Sequence, residues 1–311
     1  MMIADDVKKT LALLPASPDG PWTIETARAR HEWSATLFGP PSGRADVASV
    51  DEVRAAGVTA RVYRPATPST PQPTLLWIHG GGWMTGSLDT SDILAREFAA
   101  ALGAVVVSPD YRLAPEHPWP AGLDDSRAAL AWVRESVDSL GGSPDLIAIG
   151  GDSAGGNLAA VLAVEERDAA RHLAAQVLIY PVVDLDLDAE AYPSRTEFAA
   201  GHHLEWADVE RCVQTYLPCG ANSADPLISP IRTRSFDAVA PAVIATADLD
   251  PLRDEGRAYA ELLRQAGVPV TYLNEAGLVH GGFDMAGVSP TARHAITSLM
   301  REAARVLARS S

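Results

Sequence analysis

From residue 74 onward two hydrophobic patterns alternate along the chain. Short unbroken apolar runs occur at TLLWIH (74–79), AVVVSPDY (104–111), LIAIGG (146–151), AAQVLIYPV (174–182), PAVIATA (241–247) and VPVTYL (268–273). Stretches with helical spacing of apolar positions lie around them, at 91–102, 121–140, 154–167, 253–266 and 291–309. A strand covered on both faces reads as a continuous apolar run, whereas a surface helix shows a stripe of period 3.6. The alternation therefore predicts the α/β class: a mostly parallel central sheet covered by helices on both faces. Upstream, VTARVYRP (58–65) alternates as a half-buried strand should, and TPSTPQP after it reads as a loop. Two amphipathic helices are predicted at 4–14 and 24–37, separated by Pro and Gly.

One stretch breaks the rhythm. Residues 184–231 are polar, hold Pro, Gly and aromatics, and contain a single predicted helix at 205–216. Ligands of parallel sheets sit at the carboxyl ends of the strands, and long insertions there commonly act as lids. The expectation is one domain over residues 1–311, with a helical cap formed by about 1–45 and 184–231.

Composition narrows the partners. Hydrophobic residues make up 47% and charged residues 21% of the 311, which fits a globular chain with a substantial core. Lys and Arg total 25 against 40 Asp and Glu, a net charge of −15. That balance argues against nucleic acid or an anionic membrane as partner. The N-terminal apolar run, Leu11 to Leu14, is too short for a secretory segment, and no stretch reaches the roughly 18 apolar residues of a membrane span. A soluble, cytoplasmic protein is expected. Cys212 and Cys219 match no metal or redox spacing and read as ordinary thiols, so no metal site is expected.

Two motifs carry chemistry. Gly151-Asp152-Ser153-Ala154-Gly155 is a G-x-S-x-G pentapeptide that follows a predicted strand and opens a predicted helix. Small residues allow a sharp turn there, exposing the Ser153 hydroxyl where the helix aims its unsatisfied N–H groups. A plain helix N-cap is the rival reading of Ser153. A phosphate loop is disfavoured, because no G-K-[ST] ending follows. The second motif is His79-Gly80-Gly81-Gly82, at the exit of the 74–79 strand. A serine attacking an ester carbonyl creates an oxyanion, and backbone N–H groups held ready for it are often the largest catalytic term. Glycines would let that oxygen approach, so Gly81, Gly82 and Ala154 are the expected donors; a flexible strand exit is the rival reading.

With HGGGW (79–83), SPDYRLAPEHPWPA (108–121), GDSAGGNLA (151–159) and DPLRDEG (250–256) in this order, the chain resembles the hormone-sensitive-lipase-like family of α/β-hydrolases. The match runs from about residue 78 to 280. His280 follows the last predicted strand, where a loop at the carboxyl edge should emerge, and the order serine, acid, histidine suits it as the base. For the acid, periodicity leaves Asp248 and Asp250 unresolved, and Asp250 before Pro251 could be a helix N-cap. The resemblance selects Asp250. The chain departs from the family in one place: Gly281 and Gly282 both precede Phe283, where the family commonly has one glycine. Trp83 and Tyr180 could line the acyl side or be core aromatics. The resemblance implies an α/β-hydrolase fold and a serine carboxylesterase acting on small, short- to medium-chain esters. It implies no cofactor and leaves room for self-association. An amidase or peptidase with the same residues, or a non-catalytic receptor of the same fold, are the alternatives.

Overall fold

The computed structural model describes residues 2–14, 22–40 and 43–310. Among these residues eight strands form one sheet in the order β1-β2-β4-β3-β5-β6-β7-β8. They are β1 (Val47–Ala55), β2 (Val58–Pro65), β3 (Thr74–Ile78), β4 (Val105–Pro109), β5 (Ile147–Asp152), β6 (Ala175–Ile179), β7 (Ala242–Leu249) and β8 (Val270–Val279). β1 and β2 join antiparallel, as do β2 and β4; every other pairing is parallel. The helices are α1 (Asp5–Leu11), α2 (Ile24–Phe38), α3 (Asp92–Leu102), α4 (Ala121–Leu140), α5 (Ser153–Asp168), α6 (Pro193–Glu197), α7 (Trp206–Tyr216), α8 (Arg253–Gln265) and α9 (Pro290–Ser310).

Why the central strands read as solid apolar runs is visible at β3, where all five residues are buried. Leu76 and Ile78 enter the core covered by α4, α5 and α8, while Leu75 and Trp77 enter the core covered by α3 and α9. Successive side chains point to opposite faces, so a strand between two cores needs apolar residues at every position. Each such Leu or Ile is worth roughly 1.5–3 kcal/mol of burial.

β1 escapes the periodicity for the opposite reason. It is a half-exposed edge strand, with Val47 and Val50 against one core and Val53 and Ala55 against the other. A register shift between Val47 and Ser49 places residues three apart on the same face, so its valines follow no period of two. β8 starts at Val270 and continues through Glu275 to Val279, beyond the run expected to end at residue 273. The Pro- and Gly-containing connection between the first two helices lies outside the described residues.

Within residues 184–231 the structure has α7, as expected, and the short α6. This stretch is fastened by a fully enclosed ion pair: Arg195 Nη2 meets Glu255 Oε2 at 2.7 Å, both side chains 0% exposed. Arg195 also donates to the carbonyls of Asp184, Asp186 and Asp188. Its guanidinium lies 4.6 Å from the rings of Tyr192 and of Trp206. Glu255 Oε1 accepts the Val183 N–H at 2.9 Å. Removing one partner of such a pair leaves a buried, uncompensated charge. Glu255→Gln should therefore lower the unfolding free energy by about 3 kcal/mol or more, read as a shifted urea midpoint. An unchanged midpoint would show that the pair is not the fastening it looks like.

Candidate active site

β5 passes into α5 with no intervening loop. Ser153, the first helical residue, has φ +52, in the left-handed region that an L side chain enters at a cost of ~1–3 kcal/mol. A Cβ on Gly155 would collide with the carbonyl oxygens of Ile78 and His79, and one on Gly151 with Gly155 itself. The two glycines thus let the bend press against the end of β3. The N-cap position belongs to Asp152, and no side chain makes a cap hydrogen bond there. The Ser153 hydroxyl instead reaches His280 Nε2 at 2.9 Å.

His280 directly follows β8, and its Nδ1 lies 2.7 Å from Oδ2 of the fully buried Asp250. The other carboxylate oxygen, Oδ1, accepts the Leu252 N–H at 2.9 Å. Asp250 therefore turns the chain ahead of α8 and meets the imidazole with the same carboxylate; it is not the helix N-cap, a position that Leu252 holds without a side-chain cap bond. Asp248 goes elsewhere: its Oδ1 accepts from Asn274 Nδ2 at 2.9 Å. β7 ends at Leu249, so Asp250 lies beyond the strand and the alternation that would put the two aspartates on one face does not reach it. With Nδ1–H given to Asp250, Nε2 is left as the acceptor facing Ser153.

The glycine turn after β3 meets the same bend. The Gly80 N–H donates to Asp152 Oδ1 at 3.0 Å. Side chains would be blocked there by protein atoms: a Cβ on Gly80 would strike the Asp152 carboxylate, one on Gly81 the Thr85 carbonyl, and one on Gly82 the Cys212 sulfur of α7. Gly81 and Gly82 also sit at φ +112 and +60. Close protein packing and backbone conformation already demand these glycines, whatever else approaches them. Among the described residues the N–H groups of Gly81 and Gly82 have no protein acceptor. The Ala154 N–H, in the first turn of α5, has none within its helix.

Tyr180 and Trp83, read from the sequence as acyl-side or core aromatics, both pack beside these residues. Tyr180, 1% exposed and at φ +34, packs its ring 4.3 Å from the His280 ring. Trp83, 2% exposed, stacks on Tyr216 of α7 at 4.4 Å. Both aromatics lie in the packed interior. Asp152 is pushed up to about 6 by desolvation, against the pull of the Gly80 N–H and of His280. Desolvation and the nearby Asp152 carboxylate also push Asp284 well above the usual range, against a hydrogen bond from Tyr180. The only sequence signal for Asp152 was an acid beside the serine at the end of a buried strand. His79 is held neutral by burial, which lowers it to about 4, and stacks on Tyr111. No helix of the described residues is long and apolar enough to cross a membrane.

A family model described as the alpha/beta hydrolase fold matches residues 75–284. The chain belongs to the α/β-hydrolase family. Within it the chain is of the hormone-sensitive-lipase-like kind, and it is a carboxylic-ester hydrolase. It is 45% identical over 243 residues to carboxylesterase NlhH of Mycobacterium tuberculosis, covering 76% of this chain and 75% of that one. It is 36% identical to an ethyl acetate hydrolase of Pseudomonas putida, covering 85% and 84% of the two chains. The solved hyperthermophilic esterase of Pyrobaculum calidifontis superposes with TM-score 0.89 at 32% identity, over 100% of this chain and 99% of that one.

Asp152 gives this hydrolase a pH signature. Its folded value of about 6 stands above the ordinary 3.8, so the folded state favours the protonated acid. The stability it contributes is complete below about pH 4 and is lost as pH rises through about 6. Asp152→Asn cannot ionise, so its stability relative to the parent should rise between about pH 4 and pH 7. Urea unfolding of both proteins at the two pH values measures this, and a constant difference would refute it.

Proposed function

We propose that the chain is a serine carboxylesterase that works through an acyl-enzyme, with Ser153 as nucleophile, His280 as general base and acid, and Asp250 as the partner of the imidazole. The observation that carries this reading is the unbroken hydrogen-bond chain from Ser153 Oγ to His280 at 2.9 Å and on to Asp250 at 2.7 Å. Ser153 Oγ attacks the ester carbonyl while Nε2 takes its proton, and Asp250 stabilises the resulting imidazolium. The carbonyl oxygen becomes an oxyanion held by the N–H groups of Gly81, Gly82 and Ala154. Collapse of that adduct expels the alkoxide, which leaves as the alcohol with the Nε2 proton. Water, deprotonated by His280, then attacks the acyl-enzyme and releases the acid and free Ser153.

Small esters of short to medium acyl chains are the proposed substrates, and the similar ethyl acetate hydrolase supports this class. Residues 1–45 and 184–231 are proposed as the cap of a single domain. Cys212 on Gly82, the Tyr216 stack on Trp83, and the Arg28 hydrogen bonds to the Met84 and Ala114 carbonyls support that role. Two free cysteines favour a reducing, cytoplasmic setting.

Turnover of p-nitrophenyl esters from acetate to palmitate tests the mechanism and measures acyl depth together. Ser153→Ala should lose at least about 10⁴-fold in kcat/KM, which is ~5.5 kcal/mol of transition-state stabilisation, with the fold intact. His280→Ala should fall similarly, and Asp250→Asn less far. Asp248→Asn should stay within about threefold of the parent, since its carboxylate faces Asn274. Near-full activity in Ser153→Ala would end the proposal.

A further inference from the structure

The doubled glycine after His280 and the paired histidines of the 184–231 stretch meet in space. Phe198 is buried, and the His202 ring stands edge-on to it at 5.1 Å, with Nδ1 2.8 Å from the Ala200 carbonyl. His202 is thereby turned into its own loop. The next residue, His203, takes the left-handed conformation at φ +77 and points a different way. Its ring atoms Cδ2 and Nε2 lie 3.7 Å from the position that a Cβ on Gly281 would occupy. Gly281 is itself left-handed, at φ +76, and follows His280 directly. Two left-handed turns from distant parts of the chain therefore face each other next to His280, and the one at His203 is strained. Histidine enters this backbone region more readily than most residues, but such strain persists only where the surroundings enforce it. His203 is exposed, and neither ring nitrogen has a hydrogen-bond partner among the described residues.

Chemistry assigns a side to this location. The leaving alkoxide takes its proton from His280 Nε2, so the alcohol half of the ester lies by His280, while the carbonyl oxygen turns toward Gly81, Gly82 and Ala154. An imidazole beside His280 meets the alcohol half. We propose that His203 is an alcohol-side specificity residue, which selects esters whose alcohol carries a hydroxyl or carbonyl close to the ester oxygen. This rests on the assignment of Ser153 and His280 above. The imidazole has one donor and one acceptor free in its neutral form, which suits either group.

Propyl acetate and 2-hydroxyethyl acetate form a matched pair, differing by a terminal methyl against a hydroxyl. The ratio of kcat/KM, hydroxyl-bearing over propyl, should fall about fivefold in His203→Ala, the worth of one ordinary hydrogen bond. Propyl acetate turnover should change by less than about twofold. His203→Gln, which keeps a donor and an acceptor, should restore part of the ratio. His203→Asn tolerates the same backbone conformation and keeps the test open if the alanine variant folds poorly. An unchanged ratio in folded variants, or an equal loss on both esters, would overturn the proposal. Ser153→Ala assayed on the same pair separates the two levels. If it is inactive and the His203 ratio is unchanged, only the specificity assignment fails. If it stays active, the nucleophile assignment fails.

Discussion

The left-handed backbone of Ser153 is the constraint from which the rest of the site follows. No helix start needs φ +52, and an unsupported residue would relax out of it. It is held because β5, α5 and the end of β3 approach so closely that only glycine fits at 151 and 155. The same approach brings Asp152 onto the Gly80 N–H and ties the glycine turn to the serine bend. One tight junction between two neighbouring strands therefore fixes Ser153, the proposed nucleophile, and its proposed oxyanion donors together. Any loosening of the junction should disturb both, which is why the two motifs function as one structural unit although they lie some 70 positions apart in the chain.

A second stretch, residues 250–255, does two jobs in the same few positions. Asp250 meets His280, Asp254 accepts the Ser194 N–H, and Glu255 holds Arg195 and the Val183 N–H. The carboxylate that meets His280 is thus continuous with the anchor of the 184–231 stretch. Stability and site geometry cannot be varied independently here. A buried ion pair is a costly way to gain stability, but its strict geometry fixes one register of the covering segment. The site gains from that register because Cys212 and Tyr216 pack onto the glycine turn.

How much was legible follows from the same physics. The parallel strands were plain because burial on two faces demands unbroken apolar runs, as β3 and β7 show. β1 was invisible because a register shift and shared allegiance to both cores remove any periodicity. That Ser153 and His280 would meet was legible from motif and chain order. The choice between Asp248 and Asp250 was not, since it turns on where β7 stops and on which carboxylate reaches His280 rather than Asn274, which no local pattern encodes. Nor was the reason for the three glycines. They looked like space left for a reacting oxygen, yet Asp152, Thr85 and Cys212 already fill the positions their side chains would take. Contacts between distant segments, unlike periodicity, leave no mark on the local sequence.

The environment also separates three carboxyl groups: Asp250 on the imidazole, Asp152 beside the serine, and Asp284 at the Tyr180 hydroxyl. Like charges packed together in low dielectric cannot all ionise without large cost, so neighbours must differ in their partners. Asp250 has a backbone N–H on one oxygen and the imidazole on the other. Asp284 has one long contact, 3.4 Å from the Tyr180 hydroxyl, and desolvation drives it toward the neutral acid. Asp152 stands between, with one N–H and a value near 6. The three carboxyls thus differ in what they accept: two short contacts at Asp250, one N–H at Asp152 and one long contact at Asp284. Carboxyls of identical chemistry are sorted into separate roles by where the backbone places its N–H groups.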